Sequence, residues 1–140
     1  MQNKCAIGLD IGERRIGVAL SDPDGVVAVP LTVITRSGGE ADIEAILGLV
    51  RQYDAGRIVA GLPLSMDGTV GKQAERVQEF LTALSESLDI SIDTWDERLS
   101  TVAAERLMVD TGLKRDKRKG ARDTLAAAII LQGYLDGNRI

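Results

Sequence analysis

Apolar and polar positions alternate in two different periods along this chain, and the change of period divides it into elements. Residues 5–9 (Cys-Ala-Ile-Gly-Leu) and 16–20 (Ile-Gly-Val-Ala-Leu) are apolar runs of strand length, and a valine-rich third run covers residues 26–34. Between the second and third, Asp22-Pro23-Asp24-Gly25 has the chemistry of a tight turn: proline presets one dihedral and glycine permits a positive one. Three sequential strands so connected form an antiparallel meander. Past Gly38-Gly39, Ile43, Ile46, Leu47, Val50 and Tyr53 recur at helical spacing, with Glu40, Asp42 and Glu44 near the start, where the helix dipole favours acids. Residues 57–62 read as a short buried strand. Val70, Ala74, Val77, Leu81 and Leu84 then form the apolar stripe of a second helix. Ile90, Ile92 and Thr94 alternate in a strand ending at Trp95, and Ser100 caps an expected helix carrying Ala103, Ala104, Leu107 and Met108. A last helix, about residues 121–135, is apolar around most of its circumference, as a core helix should be.

The order βββαβαβαα predicts an α/β fold with a mixed five-stranded sheet, a meander on one side and parallel strands with helical crossovers on the other, flanked by helices. At 140 residues the chain suits one domain spanning 1–140, with no evident repeat or linker. Its longest nearly apolar run, residues 125–131, is far short of a membrane span. The N-terminus enters a strand pattern without a signal sequence, so the expected location is cytoplasmic, with no membrane partner.

Composition narrows the chemistry further. One cysteine, Cys5, cannot form an internal disulfide, and with no histidine the ligand sets of ordinary zinc sites are missing. Ser-His-Asp and Cys-His catalysis are excluded on the same ground, leaving carboxylates, lysines, hydroxyls or a hard metal ion. Net charge is −4, which argues against a polyanionic partner, but residues 114–122 hold six basic residues and one acid, a local +5. That run is either a solvated loop or a phosphate clamp.

Three acids stand out. Asp10 sits at the end of a strand expected to be central and buried, where a charge is costly without a partner; alternatively it caps the turn before Glu13. Glu97, beside Asp96, follows the strand ending at Trp95 and would project from the same sheet edge if that strand lay beside the first; otherwise it is an exposed turn carboxylate. Asp123 begins the apolar last helix, next to Ala126, Ala127 and Ile130, or serves there only as an acid favoured by the helix dipole. Carboxylates from separate segments converging at one sheet edge supply the hard oxygen ligands that Mg²⁺ or Mn²⁺ needs. Two such ions about 4 Å apart can activate water and stabilise the departing oxygen of a phosphodiester without histidine.

These acids lie within four ordered motifs: Gly8-Leu-Asp-Ile-Gly-Glu-Arg-Arg-Ile-Gly-Val-Ala-Leu, Gly61-Leu-Pro-Leu-Ser-Met-Asp-Gly-Thr, Asp96-Glu-Arg-Leu-Ser-Thr and Lys119-Gly-Ala-Arg-Asp-Thr-Leu-Ala-Ala. Through them almost the whole chain resembles the YqgF (RuvX) family of Holliday-junction-resolvase-like proteins and pre-16S rRNA nucleases, within the RNase H-like superfamily. The resemblance implies an RNase H-like nuclease domain and catalytic roles for Asp10, Glu97 and Asp123. It departs at Ser65, where many members carry asparagine, which bears on that loop and leaves the acids untouched.

Arg14, Arg15, Arg98 and Lys119 adjoin the motif acids and are candidate phosphate contacts, or else surface charges that serve solubility. The expected function is metal-dependent hydrolysis of phosphodiester bonds, endo- or exonucleolytic, and the resemblance implies that it serves in processing the 5′ end of pre-16S rRNA, with the ribosome as a further partner. Resolution of four-way DNA junctions is the alternative, and it asks for a homodimer where rRNA trimming needs only a monomer. A nucleic-acid-binding module without turnover is a third reading, and clustered acids disfavour it unless metal ions neutralise them. An actin or sugar-kinase type ATPase needs a second domain that this length does not supply.

Overall fold

The computed structural model describes residues 4–97 and 118–137. Within them run β1 (Ala6–Ile11), β2 (Arg15–Ser21), β3 (Ala28–Thr35), α1 (Glu40–Tyr53), β4 (Arg57–Leu62), α2 (Lys72–Ser85), β5 (Ser91–Asp96) and α3 (Arg118–Gly137). The five strands form one sheet in the order β3-β2-β1-β4-β5. β1, β2 and β3 pair antiparallel as the expected meander, whereas β4 pairs parallel with both β1 and β5. The mixed sheet expected from the order of elements is therefore present, with β1 at its centre.

Several boundaries differ from the periodicity reading, each for a local reason. Val26 and Val27 are not in β3: the Asp22 carboxylate accepts their N–H groups at 2.7 and 2.9 Å and holds them in the turn, where Gly25 takes a φ of 70°. Val70 precedes α2 and is exposed, because the helix starts only after Gly71. Ile90 likewise precedes β5. α3 extends past both expected ends, so Asp123 is the sixth residue of the helix and not its first, too far in for an N-terminal dipole acid. The expected helix with Ala103, Ala104, Leu107 and Met108 lies outside the described residues, as do residues 114–117 of the basic run; residues 118–122 are helical backbone in α3.

Because side chains alternate across a strand, the sheet has two distinct faces. Ile7, Leu9, Ile16, Val18, Ile58 and Ala60 meet α1 and α2 in the larger apolar cluster, through Ile46, Leu47, Val77, Leu81 and Leu84. The opposite face presents Ala6, Ala19 and Val59 to Ala127, Ala128, Ile130 and Leu131 of α3. Glycines let that helix come close: a Cβ on Gly8 would stand 2.8 Å from Leu131 Cβ, and one on Gly17 would stand 2.0 Å from the Asp123 carbonyl oxygen. At the far end of this face Trp95 lies against Gly133 and Gly137 and meets Tyr134 edge to face at 6.4 Å. Tyr134 donates to the Asp93 carboxylate and Arg57 donates to Tyr134, so the polar tips under α3 are partnered.

A buried ion pair ties α1 to the β1–β2 turn. Asp42, 1% exposed, accepts from the N–H groups of Ser37 and Gly38 and from Arg36 Nε at 3.0 Å. Burial raises its proton affinity, but those donors outweigh it and hold the carboxyl below its ordinary value. Arg36 also donates to the Gly12 carbonyl at 2.9 Å and lies over the Phe80 ring. The turn that follows β1 is thereby anchored from beneath.

Candidate functional site

The parallel strands β1, β4 and β5 run in one direction, and the site forms where their carboxyl ends meet, the usual location of ligands in open α/β sheets. Asp10 is the penultimate residue of β1 and Glu97 follows β5 directly. β5 does not lie beside β1 as the sequence reading required, since β4 runs between them. Glu97 reaches Asp10 across Gly61 of β4, the residue paired with Trp95. A Cβ on Gly61 would fall 2.7 Å from Glu97 Cγ and 3.0 Å from its Cδ, so the space that a side chain would occupy is filled by the glutamate. Gly61 is thus a site residue whose role only the sheet order reveals.

Asp10 and Glu97 meet in a side-chain hydrogen bond. Two carboxyl groups can do so only by sharing a proton, because both charges cannot be held at this separation. Burial, the bond to Asp10 and the charges of Asp10 and Asp96 push Glu97 up to about 9. Burial and the charge of Asp123 raise Asp10 too, while the bond from Glu97 opposes the rise. The turn after β1 is closed by the Gly12 N–H to the Arg15 carbonyl at 2.9 Å and by Arg36, which leaves Asp10 for the site and not for capping.

Asp123 arrives from the opposite side. Gly17 is the antiparallel partner of Asp10, and its missing side chain lets the α3 backbone at Asp123 press onto the sheet there. The Asp123 carboxylate accepts from Arg15 Nε at 2.6 Å. Arg14 is exposed at the turn, and its backbone carbonyl accepts from the Arg36 N–H. Gly12, Glu13, Arg14, Arg15 and Asp123 line an open depression of about 320 Å³ beside the acids. Glu13 forms an exposed ion pair with Arg76 at 3.1 Å, too solvated to add much. Of the remaining candidates, Arg98 lies outside the described residues and Lys119 is in α3 with its side chain likewise outside them.

The donor set suits a hard divalent ion in part. Asp10 and Glu97 offer paired oxygens whose mutual repulsion a cation would relieve. No cluster of three ligating side chains closes on one point among the described residues, and the Asp123 carboxylate is engaged with Arg15.

Comparison with known proteins agrees with this architecture. A family model described as RuvX, Holliday junction resolvase, matches residues 4–137. A Halothermothrix orenii relative, provisionally named pre-16S rRNA nuclease, is 49% identical over 130 residues, spanning 93% of both chains. A Clostridium botulinum relative of the same provisional name is 50% identical over 93% of this chain and 95% of its own. Among solved structures, Thermus thermophilus RuvC in complex with a Holliday junction substrate superposes with a TM-score of 0.60 at 15% identity, covering 96% of each chain. At that identity the likeness is one of fold, which is RNase H-like.

Proposed function

The chain belongs to the RuvX family, and from that premise we propose that it is a metal-dependent nuclease acting through Asp10, Glu97 and Asp123 on a nucleic-acid phosphodiester. The observation that carries this reading is the Asp10–Glu97 pair: two acids from separate segments, brought together over Gly61 into a side-chain hydrogen bond. A fold spends stability on such a pair where a cation or a reaction uses it. Mg²⁺ or Mn²⁺ held there would lower the pKa of a bound water and neutralise charge on the phosphate, in a two-ion arrangement if Asp123 contributes. The protein's own part is to hold Asp10 and Glu97 rigidly at strand ends, with Arg14 and Arg15 facing the depression where a phosphate backbone can lie. Arg98 and Lys119, which adjoin the motif acids in the sequence, are proposed as further phosphate contacts.

The substrate proposed is precursor 16S rRNA, in keeping with the provisional name of relatives at about half identity. That role places the protein in the cytoplasm with the ribosome as partner, and one catalytic domain per event suffices. With one tryptophan, one phenylalanine and two tyrosines, recognition rests on backbone and shape more than on base stacking. Four-way DNA junctions are the second reading, favoured by the RuvX description and requiring a two-fold dimer for paired cuts.

The test is incubation with Mg²⁺ or Mn²⁺ and a labelled panel of precursor-like RNA and junction DNA, with Asp10→Asn alongside to exclude contaminating nuclease. Cleavage requiring both metal and Asp10 supports the proposal, and the preferred substrate decides between its two forms. Failure of every substrate, with metal binding demonstrated, would favour a binding module without turnover.

A further inference from the structure

Asp123 is the one candidate ligand that this arrangement withholds. Its backbone is fixed, since the carbonyl oxygen sits where a Cβ on Gly17 would be, directly over the β-pair that contains Asp10. Only the short side chain is free to choose a direction, and in the structure it points to Arg15. That ion pair forms part of the wall of the open depression, and the two side chains are 40% and 23% exposed, so a ligand entering from solvent meets it directly. Arginine binds a phosphodiester at least as well as a carboxylate, through two parallel hydrogen bonds.

We propose that Arg15 is a latch on Asp123, and that a backbone phosphate entering the depression takes over the guanidinium and releases the Asp123 carboxylate to the Asp10–Glu97 pair. The inference rests on the nuclease reading of that pair and adds the order of events. Without nucleic acid the site offers two carboxylates and binds a divalent ion weakly; with phosphate on Arg15 it offers three. Substrate and metal affinities are then coupled, and by linkage each raises the other by the same factor. Arg15 acts here as a positioning residue for Asp123.

A double-mutant cycle on Mn²⁺ affinity, read by calorimetry without nucleic acid, separates this role from the mere presence of a positive charge. Arg15→Gln should tighten Mn²⁺ about tenfold where Asp123 is present and by less than about twofold in the Asp123→Asn background. Equal gains in both backgrounds would mean that Arg15 only repels the cation, and the latch would be wrong. As a second readout, Ca²⁺ should tighten binding of a labelled short RNA more in the wild type than in Arg15→Gln; equal tightening would overturn the phosphate-driven release. The two layers fail separately. Mn²⁺ binding unaffected by Asp10→Asn would remove the metal site itself, whereas Asp10-dependent binding with an additive cycle would remove only the latch.

Discussion

Adding one methyl group to Gly61 should disable the site while the protein stays folded. The new Cβ would stand 2.5 Å from Ile130 Cδ1 and 2.7 Å from Glu97 Cγ, where ordinary carbon contacts are about 3.5–4 Å. Both atoms belong to movable side chains, so the clash is relieved by retreat and the cost is that of modest overpacking, about 1–3 kcal/mol. For a chain of this length that lowers Tm by roughly 3–12 °C. Glu97, however, must withdraw by about an ångström, and a carboxyl–carboxylate bond lengthened that much is no longer a hydrogen bond. Misplacement on this scale costs about 100-fold in turnover. Trp95 is the only tryptophan and packs against α3, so its fluorescence follows unfolding of the same layer. Gly48→Ala is the control: a Cβ there meets nothing within 4 Å, and the change should stabilise α1 by about 0.5–1 kcal/mol with activity intact. Wild-type cleavage and Mn²⁺ affinity in Gly61→Ala would refute the argument that this glycine exists to let Glu97 cross β4.

Glu97 ionises at about 9 in the fold against 4.5 ordinarily, so its contribution to stability is fully present below 4.5 and is lost as pH rises to about 9. Urea titrations across that range should show metal-free protein weakening with pH, Glu97→Gln should flatten the slope, and Mn²⁺ should restore most at the alkaline end, where it replaces the proton. Asp10→Asn should abolish metal-dependent cleavage with Tm unchanged or higher, since it removes one of two opposed acids; a large loss of Tm would show Asp10 to be structural. Asp42→Ala should cost about 3 kcal/mol by leaving Arg36 without its buried partner, measured by urea denaturation. Asp42 is held below its ordinary value, so the stability it provides is fully present above 3.8 and is lost as pH falls from there through the lowered value.

Much of this was legible in the sequence because the two periods that set element type are local properties. Residues 57–62 were bounded correctly, and the meander followed from the Asp22–Gly25 turn. Strand order was not legible. The apolar runs of β1, β4 and β5 do not say which of them are neighbours, so the sequence brings Glu97 to Asp10 only on the condition that its strand adjoins β1, whereas β4 intervenes. The signal that could have revealed it is the spacing of small residues: Ala6, Gly8, Gly17, Ala19 and Gly61 all share the face under α3. The basic run before Asp123 looks like a loop and so points to a helix start there, yet Arg118 and Lys119 are good helix formers and already lie in α3. The Arg15–Asp123 pair joins charges that local patterning cannot match, since the two residues are 108 apart in the chain, and the Arg36–Asp42 pair depends on the loop between them, whose Ser37 and Gly38 N–H groups also donate to Asp42.

The placement of the acids also answers why a chain of net charge −4 should handle a polyanion. On the α1 and α2 side the sheet is filled by large aliphatics, and nothing ionisable could stand there without a partner. On the α3 side small residues bring one helix so close that the Asp123 backbone lies over Gly17, the partner of Asp10, while Asp10 and Glu97 meet at the strand ends, where the sheet gives way to solvent. Their charges are masked pairwise, by a shared proton between Asp10 and Glu97 and by Arg15 on Asp123. A phosphate approaching this surface therefore meets less negative charge than the composition suggests, together with two arginines at the turn. Each mask is also replaceable, the proton by a cation and the guanidinium's carboxylate by a phosphate. The same interactions that make the resting site tolerable to the fold are the ones that substrate and metal would exchange on arrival. Metal-free protein should accordingly bind RNA only weakly, with a steep salt dependence carried by Arg14 and Arg15; tight, salt-insensitive binding without metal would show that the affinity lies elsewhere on the surface.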